Sequence, residues 1–465
     1  MILSSVTFLY FFLPVFIGLY ALTPKRHRAK TLILGEAVFI GWGALPALVP
    51  LGISSFAAYL LGMLIDNRRN NKPAARRVLV VSILLELSFI LLAVLSSIGV
   101  IAKGSAVARA FPPVGVFVYT LGAMSYCIDI YRGQLRCDHR FTIVAAFVGF
   151  FPCLTAGPLM RYGEVQDKLT APEMSADKLS RGISLYLKGL VERCVLSLQI
   201  SNMWTQLIKL DISGVSAITA WLGLAAAGMY VYFEFASISH MARGVALMLG
   251  IETPVNFDHP FCVSSVTELV RKFNVSVTAW FIDYIFKPIR GNGRGAGFTA
   301  LAAIVTGACL SLWYGADLSK LVFGVYMGLI CLAELAFLGK LQKKLPYIAS
   351  MVITMILIHI GFVFFIVDDT GYAVSYILAV FGRNGMLVDN LTVYFFENFA
   401  VLMGICIFIT TGLADRIYRR LSASKHNFLP FLRPVWQLTL LVLGTAFMSG
   451  TVQGYLGLIN LGAAG

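Results

Sequence analysis

Charge is scarce in this sequence. Asp, Glu, Lys and Arg make up 13% of its 465 residues, against about 25% in an ordinary soluble domain. Hydrophobic residues reach 58%, against roughly 45–50%. A soluble globular protein, a disordered tail and a coiled coil are excluded. The eight cysteines include no C-x-x-C pair and mostly sit in apolar runs. That argues against a disulfide framework or a zinc site, and fits small buried apolar side chains. No Lys/Arg block interleaved with exposed aromatics marks a nucleic-acid surface, so no nucleic acid is expected as partner. There is no internal repeat and no low-complexity tract. The two repeated halves with paired discontinuous helices of a secondary transporter are also missing.

What is present is a series of long apolar runs, the pattern of an all-α polytopic membrane protein. A bilayer core takes ~20 apolar residues per helical span, so this length allows about ten or eleven transmembrane helices. Runs are read at residues 6–22, 31–49, 53–65 and 78–102, then at 217–236, 298–313, 321–338, 348–367, 393–411 and 436–448. Residues 53–65 are short for a full crossing. The net charge of +14 reads first as loop charge, since Lys and Arg gather in loops that stay cytoplasmic. Lys25, Arg26, Arg28 and Lys30 follow the first run, and DNRRNNKPAARR precedes the fourth. Both loops are expected in the cytoplasm of a plasma-membrane protein with its N-terminus outside. The first run lacks a basic n-region and an A-x-A site, and reads as a retained span.

Three stretches differ. Residues 141–160 are apolar but hold Pro152, Gly157 and Pro158. Breakers at membrane depth are tolerated where backbone is buried in protein or lines a cavity, so this is a candidate cavity wall. Residues 180–198 suit an amphipathic interfacial helix. Residues 264–297 mix Arg271, Lys272, Asp283, Lys287, Arg290 and Arg294 with Phe273, Trp280, Phe281, Tyr284 and Phe286. This segment is too charged to cross lipid and too aromatic for a plain loop. It reads as helices at the interface, closed by a glycine-rich basic turn.

That segment, LVRKFNVSVTAWFIDYIFKPIRGN (269–292), resembles the F-W-R-R-W-H-I-S-L-S-x-W-x-R-D-Y-x-Y-I-P-L-G-G-N-R pattern of the membrane-bound O-acyltransferase family, most closely its bacterial alginate O-acetylase branch. Further resemblances follow in chain order: the opening MILSSVTFLYFFLPVFIGLY, PVGVFVYTLGAMSYCIDIYRG (113–133), FFPCLTAGPLMRY (150–162), VYFEFASISHMARGVALMLG (231–250) and SLWYGADLSKLVFGVYMGL (311–329). Together they cover most of the chain, which is expected to form a single membrane-embedded acyltransferase-like domain over 1–465.

The resemblance implies acyl transfer from a thioester to a hydroxyl, through a tunnel that donor and acceptor enter from opposite sides. It implies no bound cofactor, and as donor an acyl-coenzyme A or an acyl carrier thioester on the cytoplasmic side. The expected partners are the lipid bilayer, a polysaccharide acceptor and an extracellular partner acyltransferase. It places the chemistry on Asn274, in the first motif, and on Tyr314, where the family has the histidine of W-H-G. A hydroxyl needs a base with pKa near 7 to become a good nucleophile; a phenol with pKa near 10 is a poor one. The first motif's Trp residues have become Val270 and Phe273. In the third, the acidic positions hold Glu234 and His240, and Ser-Gly-Tyr has become Ala236-Ser237-Ile238.

Two readings follow: an O-acyltransferase moving an acyl, expectedly acetyl, group onto an exported or cell-envelope polysaccharide, or a silent member kept as an assembly subunit or acyl-delivery tunnel. Arg271, Lys272, Lys287 and Arg290 are candidate binders of donor phosphates, or of anionic lipid head groups. Trp280, Trp313, Glu234 and His240 complete the candidate substrate-binding set. As plainer readings, the two tryptophans serve packing or interface anchoring, and Tyr314 fills the space of a histidine. His359 reads as a buried hydrogen-bonded side chain.

Overall fold

A computed structural model describes residues 1–102, 104–367, 369–422 and 429–451. Among the described residues the chain is helical, and its only β-pairing is an isolated antiparallel bridge between Phe257 and Phe273. Six helical stretches have the length and apolar composition to cross a bilayer: Lys25–Asp66, Lys72–Ser97, Ala217–Met248, Leu318–Gln342, Tyr347–Ile366 and Asn390–Thr410. Four shorter apolar helices accompany them, Phe8–Leu22, Ala296–Leu312, Thr370–Val380 and Leu432–Met448. Large apolar side chains face outward along these helices, among them Val401, Leu335 and Phe396. This is the surface of a protein solvated by lipid. The all-α polytopic architecture expected from the apolar runs is therefore the one found.

The chain divides into two compact units. Among the described residues, one comprises Met1–Leu190 and Ile238–Pro254; the other comprises Val191–Ser237 and those from Val255 to Thr451. In the first unit, Leu48–Asp66 turns through a polar loop into Lys72–Ser97. The Asn71 side chain caps the second helix by accepting from the Ala74 N–H. The run read as short, 53–65, is part of a 19-residue helix beginning at Leu48, because Pro50 in its first turn needs no N–H partner. Residues 141–160 start as the helix Phe141–Val148 and continue as buried turns through Pro152 and Gly157. An Asp138 carboxylate ties this unit together, accepting from Arg140, from the Tyr162 hydroxyl at 2.6 Å and from Gln166.

In the second unit, Ala296–Leu312 and Leu318–Ala333 form a tight hairpin. Gly307 and Gly324 let the two backbones touch: a Cβ on Gly307 would lie 2.3 Å from the Gly324 carbonyl oxygen. The second of these helices continues through a π-helical turn, Glu334–Leu338. The hairpin turn, 313–317, carries Tyr314. Against it lies the interfacial segment, folded as Val266–Lys272 and Val275–Phe281, then a further helical run to Arg290.

Candidate functional site

Helix Val266–Lys272 starts on two anchors. The Ser265 hydroxyl accepts from the Glu268 N–H. The Glu334 carboxylate accepts from the N–H groups of Val266 and Thr267 at 2.6 and 2.8 Å. The helix stops at Asn274, whose backbone is left-handed with φ 53° and ψ 53°, a conformation that Asn tolerates better than most residues. The next helix begins at Val275. The Asn274 side chain does not cap it and is free to turn inward, 2% exposed.

Residues 256–258 run alongside this break. Val275 N–H donates to the Asn256 carbonyl at 2.9 Å, and Asp258 N–H donates to the Lys272 carbonyl at 3.1 Å. The Asn256 side chain reaches both ways. Its Oδ1 accepts from the Ser276 N–H, and its Nδ2 donates to Asn274 Oδ1, each at 2.9 Å. Asn274 Nδ2 in turn donates to the Tyr314 hydroxyl at 3.2 Å.

Tyr314 arrives from the hairpin turn, where its N–H donates to the Ser311 carbonyl. Its ring is wedged edge-on between Phe235 and Phe365, with centroids 4.9 and 5.3 Å away. Burial raises the phenol above its ordinary value, and the Asn274 hydrogen bond offsets only part of that. Tyr314 is thus a neutral phenol near pH 7, one that can donate a proton in a hydrogen bond but cannot serve as base. It borders an apolar cavity of about 60 Å³, walled also by Leu269, Phe273, Met327 and Phe362.

Two residues from motifs forty positions apart, Asn274 and Tyr314, are therefore in contact. The other candidates are placed differently. Glu234, on Ala217–Met248, pairs with Arg193 at 2.8 Å and accepts from the Ser197 hydroxyl. His240, further along that helix, is buried in the first unit. Arg271 and Arg290 are exposed; Lys272 pairs with Glu268 at 3.1 Å, and Lys287 with Asp283. Trp280 is buried against Tyr284, with centroids 4.8 Å apart. Trp313 is half-buried beside Tyr314. His359 bonds the Met355 carbonyl through Nδ1 at 2.7 Å. Among the described residues no cluster of His, Cys, Asp and Glu could hold a metal.

Sequence reasoning missed Asn256. A lone Asn in the loop ETPVNFDHP carries no periodicity, and only the fold shows that its side chain orients Asn274. Glu334 lies within the apolar run 321–338, and nothing in that run marks it as the anchor of a helix start.

The sequence profile of the membrane-bound O-acyltransferase family matches residues 133–379. The chain is 29% identical over 378 residues to the probable alginate O-acetylase AlgI of Pseudomonas aeruginosa, covering 78% of this chain and 72% of that protein. It is 21% identical to the peptidoglycan O-acetyltransferase of Helicobacter pylori, over 60% of this chain and 59% of that protein. With the teichoic acid D-alanyltransferase of Bacillus subtilis the identity is 24%, over 54% of this chain and 68% of that protein.

Proposed function

The chain belongs to the membrane-bound O-acyltransferase family, and on that premise we propose that it transfers a short acyl group, an acetyl, from a cytoplasmic thioester to a hydroxyl of an exported or cell-envelope polysaccharide. The donor is acyl-coenzyme A or an acyl carrier thioester. The chain works as one acyl-transfer domain in the plasma membrane, with its N-terminus outside and an extracellular acyltransferase as partner. In the reaction the acceptor oxygen bonds to the acyl carbon, the C–S bond breaks, and the hydroxyl proton leaves with sulfur as thiol.

One observation carries this reading: Asn274 and Tyr314 meet at 3.2 Å, where Tyr314 borders an apolar cavity. A small apolar space beside two hydrogen-bonding side chains suits a short acyl group with its carbonyl turned toward the polar edge. The names of the relatives, which include transferases for alginate, peptidoglycan and teichoic acid, support an envelope polymer as acceptor. They favour an active transferase over a silent assembly subunit. The exposed Arg271 and Arg290, with Lys272 and Lys287, suit the phosphates of the donor. Trp280 and Trp313 pack the segment and the turn that hold the pair.

The test is acyl analysis of envelope glycans in a deletion strain complemented with wild type, Asn274→Ala or Tyr314→Phe. Loss of glycan acetyl on deletion, restored by wild type and not by the variants, is the expected result. Acetyl content unaffected by deletion would overturn the proposal.

A further inference from the structure

Resting on the acyl-transfer reading above, we infer that Asn256 is a positioning residue that sets the polarity of a hydrogen-bond relay, leaving the Tyr314 O–H free to donate to the acyl carbonyl oxygen. The polarity begins at a group that can only donate, the backbone N–H of Ser276. Because it points at Asn256 at 2.9 Å, the atom there must be the amide oxygen. Asn256 then presents its NH₂ to Asn274 at 2.9 Å, so Asn274 must meet it with its own oxygen. Asn274 is left with its NH₂ toward Tyr314 at 3.2 Å. The phenol oxygen accepts that bond, and its proton has no acceptor among the described residues. One backbone N–H thus decides the direction of every bond in the chain, with no freedom for an amide flip.

The three side chains are buried, Asn256 at 1% exposure, Asn274 at 2% and Tyr314 at 6%. In low dielectric such a chain polarises in one direction, each bond strengthening the next. The Asn274 bond also withdraws electron density from the phenol oxygen, making its proton a better donor. Facing an apolar cavity, that proton is aimed where charge develops when a hydroxyl attacks an acyl group. Tyr314 keeps its proton throughout. It stabilises the oxyanion while the new C–O bond forms, the C–S bond breaks and the acceptor's proton leaves on the thiol. The side chain at the family's histidine position is then an oxyanion donor rather than a base.

The test uses the purified full-length protein in lipid nanodiscs with acetyl-coenzyme A and a soluble oligosaccharide acceptor. Asn256→Asp is the informative variant. When ionised, the introduced carboxyl can only accept, so the Asn274 amide reverses and takes the Tyr314 proton. At alkaline pH, kcat should fall by about 10²–10³-fold, the range for loss of an oxyanion donor, with KM for the thioester unchanged. At acidic pH the carboxyl regains a proton, donates again, and activity should return, which also shows that the variant is folded. In a Tyr314→Phe background the same substitution should add no further loss. An additive loss there, or a loss that does not depend on pH, would overturn the relay. Isotope-edited infrared spectroscopy gives a readout independent of turnover. The Tyr314 C–O stretch, isolated from the 19 tyrosines by difference against Tyr314→Phe, should report an acceptor-only phenol in wild type and a donor in alkaline Asn256→Asp. A donor phenol in wild type would overturn the inference. An inert wild type with an acceptor-only phenol would uphold the relay and overturn acyl transfer.

Discussion

Glu334 holds Thr267 by two bonds at once: its carboxylate accepts from the Thr267 N–H at 2.8 Å and from the Thr267 hydroxyl at 2.7 Å. An acid in a membrane-spanning helix thereby pins the start of the interfacial helix, seven residues ahead of Asn274. Acids at membrane depth are costly and persist where they have fixed partners. This one takes up N–H groups that the first turn of a helix leaves unsatisfied.

Removing that anchor should loosen the site without touching it. Glu334→Ala leaves the buried N–H of Val266 and the half-buried N–H of Thr267 without this acceptor, at about 1–3 kcal/mol for the buried group and less for the other. A lowered melting temperature in detergent is expected, with acyl transfer reduced. Glu334→Gln, which keeps one carbonyl acceptor, should lie between Ala and wild type. Equal melting of all three proteins would show that the anchor contributes nothing.

Much of the fold is legible in the sequence, because apolar runs of bilayer length have few alternatives to a spanning helix. Two elements were not. Thr370–Val380 has 11 residues, too few to stand out as a span. Leu413–Ser422 carries Arg416, Arg419 and Arg420 and has no apolar run. The pairing of Asn274 with Tyr314 has no local signal either. Motif resemblance nominated both residues, but their contact depends on a left-handed Asn and a glycine-packed hairpin. Asn256 bears on the site only through tertiary hydrogen bonds, which no periodicity encodes.

The pH profile of transfer should be flat from about pH 6 to 8. Asn274 does not titrate. The Tyr314 phenol starts from a reference near 10, and burial moves it further up, so it stays protonated throughout this range. Tyr314→His introduces a group with a reference pKa of about 6.5. If that imidazole works as base, activity should rise with pH through its titration. A wild-type profile that rises near neutrality would reveal a titrating base elsewhere in the site and overturn the expectation of a flat profile.

A second pH dependence concerns stability. Burial alone would raise the Asp138 carboxyl, but hydrogen bonds from Arg140 and Tyr162 outweigh it and hold it at about 2, below the unfolded reference of about 3.9. A depressed carboxylate stabilises the fold above its unfolded pKa, and that contribution is lost as pH falls through the folded one. Asp138→Asn should therefore melt below wild type at pH 7, and the gap should close between about pH 4 and 2. A gap unchanged at pH 2 would mean that the carboxylate's charge is irrelevant.

Orientation can be tested at the turn between Leu48–Asp66 and Lys72–Ser97, where Asn70 is exposed. With the basic loop in the cytoplasm, Asn70→Cys should resist a membrane-impermeant maleimide applied to intact cells and react after permeabilisation. The parent chain, whose eight cysteines are buried or half-buried, supplies the background. Prompt labelling of intact cells would invert the topology and place the N-terminus inside.

The cavity beside Tyr314 should set acyl length. Met327 is buried in the hairpin's second helix and forms part of the cavity wall, and the Gly307–Gly324 contact keeps the two backbones from closing in. Met327→Ala removes side-chain volume that the surroundings cannot refill, at a stability cost of about 2–5 kcal/mol. The enlarged space should admit a longer chain, so the ratio of butyryl to acetyl transfer should rise even as total activity falls. Because both substrates see the same destabilised protein, the ratio separates pocket size from loss of fold. A ratio equal to that of wild type would show that the acyl group lies elsewhere.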